Sequence, residues 1–295
     1  MSVLVIGEAL VDVVHRTDGS VAEHPGGSPA NVALGLGRLG RRVDLLTDLG
    51  DDARGTVVRS WLAASGARLL PTAGGRRTST ATARLREDGS AAYDFDLAWA
   101  PRGDVDPTTY DVVHTGSIAA VLEPGAGTVR DLLERAGETA TITYDPNARP
   151  AIMGDRAESA RRIEALVALS DVVKVSDEDL DWLYPGADPV TVIEEWRQRG
   201  PAVVAVTLGA DGVVAAGTAG LVEVAGVPTA VVDTVGAGDT FMAALVDGLL
   251  ELGLEAVASD RLEQVLARAA RAAALNVARP GASPPTATEL GPISR

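Results

Sequence analysis

Short runs of aliphatic and β-branched residues recur along this chain, and between most of them apolar positions repeat at helical spacing. The first run, "SVLVIGE", ends at Gly7 and reads as a buried strand that delivers its end to a site. "RVDLLTDLG", "YDVVHTG", "TITYD", "DVVKVS" and "AVVAVTLG" have the same character. Between them Thr56 to Ser65, Ala157 to Leu169 and Val190 to Arg199 read as helices, as does Phe241 to Leu250 further on. A further helix is predicted from Pro29 to about Leu39, with Ser28 as its N-cap and proline at the first helical position. Alternating strands and helices predict an α/β fold, a mostly parallel central sheet covered by helices on both faces. Two stretches break the rhythm, Val11 to Gly27 and Thr78 to Ala98, and the second carries Asp88-Gly89 between alternating runs, a hairpin signal. Both are expected to form a small antiparallel β-lid, residues 11–27 and 78–98, inserted into a single α/β domain spanning 1–295. "ARPGASPPTATELGP" near the C-terminus is a proline-rich loop or tail.

Composition narrows what such a fold does. Hydrophobic residues make up 46% and charged residues 23%, so a sizeable core is available, but at 3% aromatic it must rest on Ala, Val and Leu. With 26 Lys and Arg against 41 Asp and Glu, the net charge of −15 argues against nucleic acid or an anionic membrane as partner. An anionic ligand needs local help. Zero cysteines exclude disulfides, thiolate catalysis and Cys-ligated zinc, and the cytoplasm is the expected location. The start "MSVLVIGEALVDVV" lacks a basic leader and is interrupted by Glu8 and Asp12, so it reads as a first strand rather than a signal peptide or membrane span.

Candidate chemistry is distributed. "GLGRLG" at 35–40 matches a dinucleotide pattern but lies at the end of a helix instead of opening one, where its glycines serve packing and termination. No Walker-type phosphate loop, H-E-x-x-H or G-x-S-x-G occurs, and His15, His24 and His114 are too scattered for a metal cluster and read as surface or lid residues. Asp12, Gly26-Gly27, Asp145-Pro146-Asn147, Lys174 and "TLGADG" fall mostly at the C-terminal ends of predicted strands, the edge where open α/β sheets bind ligands. "DTVGAGDTF" at 233–241 places Gly236 and Gly238 in a turn feeding a helix N-terminus, which suits a phosphate. Asp239 is there either a base or a first-turn acid complementing the helix dipole.

"GGSPANVALGLGRLG" with Gly50 beyond it, together with "DTVGAGDTF", resembles the two signature segments of the PfkB (ribokinase-like) carbohydrate kinases. "DPNARP", "VKVSDEDLDWL" and "VTLGADG" look like the family's intermediate elements, so the likeness runs from "GEALVD" to "ARPGASP". The resemblance implies ATP-dependent transfer of the γ-phosphoryl group to a sugar hydroxyl. It makes Asp239 the catalytic base and assigns the backbone N–H groups of Val235 to Asp239, including Gly236, Ala237 and Gly238, to an anion hole. It assigns Asp12, Gly26, Gly27 and Asn31 to the sugar, Arg149 to phosphate or sugar, and Lys174, Thr207, Gly209, Gly212 and Asn276 to the nucleotide. Many relatives carry Asn-x-x-Glu, which organises Mg²⁺ through water. Here Ser176 and Asp179 stand in those places, so Mg²⁺ is expected through water at Asp179. Asp233 and the 279–283 loop are the candidates for the monovalent cation, K⁺, that the family often uses.

"GEALVD", "GGSPANVA" and "DPNARP" look most like fructokinases, which implies fructose plus ATP giving fructose 6-phosphate. Ribose, 2-keto-3-deoxygluconate or another ketose acid are the other substrates considered, an acid being served by Arg16, Arg84 or Arg86 of the lid. A catalytically silent sugar-binding relative and, on "GLGRLG" alone, an NAD-dependent oxidoreductase are the readings from other classes. A homodimer through the lid is expected.

Overall fold

The computed structural model describes residues 1–72, 77–86 and 91–293. Its strands in chain order are β1 (Ser2–Ile6), β2 (Leu10–His15), β3 (Val21–Gly26), β4 (Arg42–Leu46), β5 (Arg68–Leu69), β6 (Ser79–Leu85), β7 (Ala91–Asp96), β8 (Val112–Gly116), β9 (Thr141–Asp145), β10 (Val172–Ser176), β11 (Val203–Thr207), β12 (Gly212–Gly217) and β13 (Gly220–Ala225). Nine of them form one sheet in the order β13-β12-β11-β10-β9-β8-β1-β4-β5. The run from β11 to β5 is parallel, and β12 and β13 add an antiparallel hairpin at one edge.

The apolar runs are nearly continuous because this sheet is covered on both faces. Val3 and Val5 belong to one core with Val172, Val203 and Ala205, packed with residues of the helices Ser28–Arg38, Ala237–Leu252 and Leu262–Val277. Leu4 and Ile6 belong to the other with Ile142, Val173 and Val204, packed with residues of the helices Gly125–Ala136, Arg156–Val167 and Pro189–Arg197. Within "GLGRLG", a Cβ at Gly35 would lie 2.7 Å from Ala243 Cβ and one at Gly37 would lie 2.6 Å from Ser65 O, so the two glycines let helices approach. His114 departs from its expected surface or lid place. It lies in β8, fully buried, with Nδ1 3.0 Å from Thr143 Oγ1 on the neighbouring strand β9. Burial and then the nearby Lys174 charge hold its pKa down to about 3.

The lid is a second sheet, ordered β3-β2-β6-β7. Its outer pairs are antiparallel hairpins, but the central β2–β6 pair is parallel, which corrects the fully antiparallel expectation. Leu10 and Ser79 are paired at the start of both strands, so β2 and β6 run the same way and each hairpin returns on the outside. The Asp88-Gly89 turn lies outside the described residues. Val11 and Val13 point from β2 into the main core, which ties the lid to the body. Leu10, Asp12 and Val14 alternate with them and line a cleft.

Candidate active site

The cleft, of about 1690 Å³, runs from the lid past the start of the helix Ala237–Leu252 to the loops after β11 and β13. Gly27, Asn31, Arg149, Lys174, Thr207, Gly209, Gly212, Gly236, Gly238 and Asp239 line it together with Asp12 and Gly26, so residues far apart in sequence meet at one edge of the sheet.

At its centre, buried Asp239 accepts a 2.6 Å hydrogen bond from Ser28 Oγ on Oδ1 and a 2.7 Å bond from Asn31 Nδ2 on Oδ2. The helix carrying both donors begins one residue earlier than predicted. Gly27 is its N-cap at φ 104, and Ser28 is its first residue, so Ser28 is not the cap and its hydroxyl turns to Asp239. Burial raises the Asp239 pKa, while Ser28, Asn31, Lys174 and Arg149 oppose the rise. The site therefore holds a desolvated carboxylate whose proton affinity is raised by burial and restrained by named donors and cations.

The turn before Asp239 has Gly236 in the left-handed region at φ 73, and no side chain caps the helix that follows. Such an end presents first-turn N–H groups to an anion. Two of the five amides expected in the hole are engaged within the loop, Val235 with Asp233 Oδ1 at 3.0 Å and Ala237 with Thr234 O at 3.2 Å, because the tight turn needs them. A Cβ at Gly238 would lie 2.9 Å from Lys174 Nζ, so this glycine makes room for the cation. Lys174 is buried in β10 and paired at 2.9 Å with Asp145 Oδ2 on β9. Burial opposes the lysine charge, but Asp145, Asp179 and Asp239 together outweigh it and its pKa is raised. Asp145 itself is pushed up by burial, with Lys174 pulling against that.

At the lid end Asp12 is half-buried, and burial raises its pKa to about 6 against the pull of Arg149 and His24. A Cβ at Gly26 would lie 2.2 Å from Asp12 Oδ2, and one at Gly27 would lie 2.6 Å from Glu8 O. Arg149 is exposed and folds its guanidinium onto Asn147 Oδ1 at 2.7 Å and Ala148 O at 2.9 Å. Of the lid arginines Arg16 lines the cleft, whereas Arg84 and Arg86 do not.

Two expected ligands, Asn276 and Asp179, stand behind the wall of the cleft, and a third, Asp233, lines it. Asn276 is fully buried, with Nδ2 donating to Val235 O at 2.8 Å and Oδ1 accepting from Ser283 N at 2.7 Å; its amide braces two loops because both of its ends are engaged. Asp179 is the third residue of the helix Asp177–Leu183 and closes a capping box with Ser176, while its Oδ1 accepts from Ala148 N at 2.7 Å. Both oxygens being engaged, Asp179 does not fit direct ligation of Mg²⁺; Ser176, Asp177 and Glu178 at the same helix start line the cleft. Asp233 accepts from Val235 N and, at 2.8 Å, from Gly281 N, so it ties the loop at 279–283 to the turn before Asp239. Among the described residues no group of three or more His, Cys, Asp or Glu side chains forms a metal cluster. None of the helices there is long and apolar enough to cross a membrane.

Sequence reading missed two contributors, Ser28 and Glu8. The signal for Glu8 was a carboxylate placed immediately after a buried strand.

A buried carboxylate at a glycine-opened helix start, facing a lysine and a polar lid, is the arrangement of a phosphotransferase acting on a hydroxyl. The family pattern described as pfkB family carbohydrate kinase matches residues 1–289, and the chain belongs to that family. It is similar to a fructokinase of Rhizobium leguminosarum bv. trifolii, 34% identical over 84% of this chain and 79% of that protein, and to one of Escherichia coli, 32% identical over 95% and 94%. Among solved structures, a fructokinase of Xylella fastidiosa with bound ATP superposes with a TM-score of 0.85 at 26% identity, covering 98% of this chain and 96% of that one. The protein is therefore a carbohydrate kinase that uses ATP, and the ribokinase-like fold expected from sequence is the observed one.

Proposed function

We propose that the protein transfers the γ-phosphoryl group of ATP to the 6-hydroxyl of fructose, giving fructose 6-phosphate in the cytoplasm. The observation that carries the reading is Asp239, held buried between Ser28 and Asn31 at an uncapped helix start. In this reading its carboxylate orients the attacking hydroxyl and accepts the proton late, as a loose phosphoryl transfer allows. The Gly236 to Asp239 turn and Lys174 hold the transferring group. Thr207, Gly209 and Gly212 flank the nucleotide, with Asn276 bracing its loop, and Mg²⁺ accompanies the phosphates. Asp12, Gly26, Gly27 and Asn31 hold the sugar, with Arg149 beside them. With Lys174 paired to Asp145, the carboxylates Glu8, Asp12 and Asp239 leave no surplus of cations at the acceptor end, where Arg149 and Arg16 also lie, which favours a neutral polyol over a sugar acid.

The test is a coupled ADP-release assay over fructose, ribose, glucose, 2-keto-3-deoxygluconate and a nucleoside, with the product identified by NMR. Fructose 6-phosphate as the preferred product supports the reading; preference for another acceptor keeps the kinase and replaces the sugar. Replacing K⁺ by a bulky organic cation in the same assay tests the contribution of the Asp233 and 279–283 loops. A second copy covering the lid, where Val21, Leu85 and Tyr93 are exposed, is the expected homodimer, and light scattering reads its mass.

A further inference from the structure

Glu8 is a carboxylate just beyond β1, 6% exposed and lining the acceptor end of the cleft. Its Oε2 accepts from the Ala119 N–H at 3.2 Å, and the Ser117 hydroxyl is its further hydrogen-bond partner. Ser117 holds φ 55, a left-handed conformation that a non-glycine residue adopts only when its surroundings impose it. Gly116 before it cannot carry a side chain, since a Cβ there would lie 2.3 Å from Asp145 O. On its other side the Glu8 carbonyl is what a Cβ at Gly27 would strike, so the same residue abuts both walls of the acceptor end. Ser117, Ile118 and Gly27 all line the cleft.

We propose that Glu8 is a positioning residue for the acceptor sugar, tying the strained Ser117–Ala119 turn to the Gly27 loop so that acceptor affinity depends on its carboxylate while ATP affinity does not. This rests on the kinase reading of the site. A carboxylate rather than an apolar residue is needed because the Ala119 N–H and the Ser117 hydroxyl are buried donors that an alkyl group would leave unpaired. Burial also raises the Glu8 proton affinity, to about 7, opposed by its hydrogen bonds to Ser117 and Ala119 and by Arg149. The other titratable and charged groups lining this part of the cleft are Asp12, Arg16, His24 and Tyr93 of the lid, Arg149, Lys174, and Asp239 of the helix start. Protonation weakens the two acceptor bonds, so the acceptor KM rises as pH falls through about 7.

The experiment measures kcat, acceptor KM and ATP KM for wild type, Glu8→Gln and Glu8→Ala from about pH 5.5 to 8.5, with Tm taken alongside. Loss of charge-assisted hydrogen bonds predicts a rise of about 10- to 100-fold in acceptor KM for Glu8→Ala, with ATP KM within about 2-fold. Glu8→Gln, which keeps the shape and one acceptor oxygen, falls between and lacks the step near neutral pH. Equal shifts in both KM values, or an acceptor KM unchanged in Glu8→Ala, overturn the proposal. Should wild type turn over no sugar, the kinase reading fails separately; calorimetric sugar binding to wild type and Glu8→Gln then decides the role of Glu8, equal affinities rejecting it.

Discussion

Ser28 Oγ donates a 2.6 Å hydrogen bond to Oδ1 of Asp239 across 211 positions of sequence. Donors to the ionised form hold the carboxylate's proton affinity down while burial pushes it up. Replacing Ser28 by Ala removes one donor, so the Asp239 pKa rises and the acidic limb of the kcat profile moves to higher pH. An acidic limb that stays in place in Ser28→Ala would show that the hydroxyl does not tune this group.

Gly236 and Gly238 differ in what a methyl group would meet. Gly236→Ala places a side chain at φ 73 and against Ala282 Cβ at 2.8 Å, which costs about 1–2 kcal/mol from the backbone alone. Gly238→Ala instead presses on Lys174 Nζ. Calorimetry and kinetics together should show Gly236→Ala losing a few degrees of Tm as well as turnover, and Gly238→Ala losing turnover at nearly unchanged Tm.

The Lys174–Asp145 pair is buried at both ends. Asp145→Asn leaves a buried lysine without its charge partner and should destabilise by about 3–5 kcal/mol, as breaking such pairs does. The double variant Asp145→Asn/Lys174→Met should recover part of that loss in denaturant unfolding but no activity. A single variant as stable as wild type would mean that the pair is replaceable by solvent.

Asp12 links stability to pH in the direction opposite to a salt-bridged carboxylate. It releases its proton near 3.8 when unfolded and at about 6 when folded, so between these values the folded state binds more protons. Stability therefore declines as pH rises through that window and stays lower above it. Asp12→Asn should raise Tm at about pH 8, lose the gain below about pH 4, and weaken sugar binding throughout. A variant less stable than wild type at pH 8 would contradict this.

Much of the architecture was legible because fully buried parallel strands leave unbroken aliphatic runs, as "SVLVI" and "DVVKV" do. The β12–β13 hairpin was not, since "GVVAAGTAGLVEVA" offers small residues and little alternation. The parallel β2–β6 pairing joins segments whose partnership no local pattern encodes. Within the site, residue types pointed to what lines the cleft but not to the protein groups those side chains touch. Ser28 looked like a cap because its partner lies 211 positions away. Ser176 to Asp179 was read as a metal motif, although S-x-x-D is also a capping-box pattern, and the box is what formed. Asn276 sits among residues that line the cleft, and only the fold shows its amide turned to two backbone groups behind the wall.

The most direct test of the central claim compares wild type with Asp239→Asn for sugar-dependent ADP release, alongside calorimetric binding of fructose and of an unreactive ATP analogue. General-base loss predicts turnover about 10²–10⁴-fold lower with both ligands still bound. Equal turnover in the two proteins would contradict the role given to Asp239 and return it to a structural acid at a helix start.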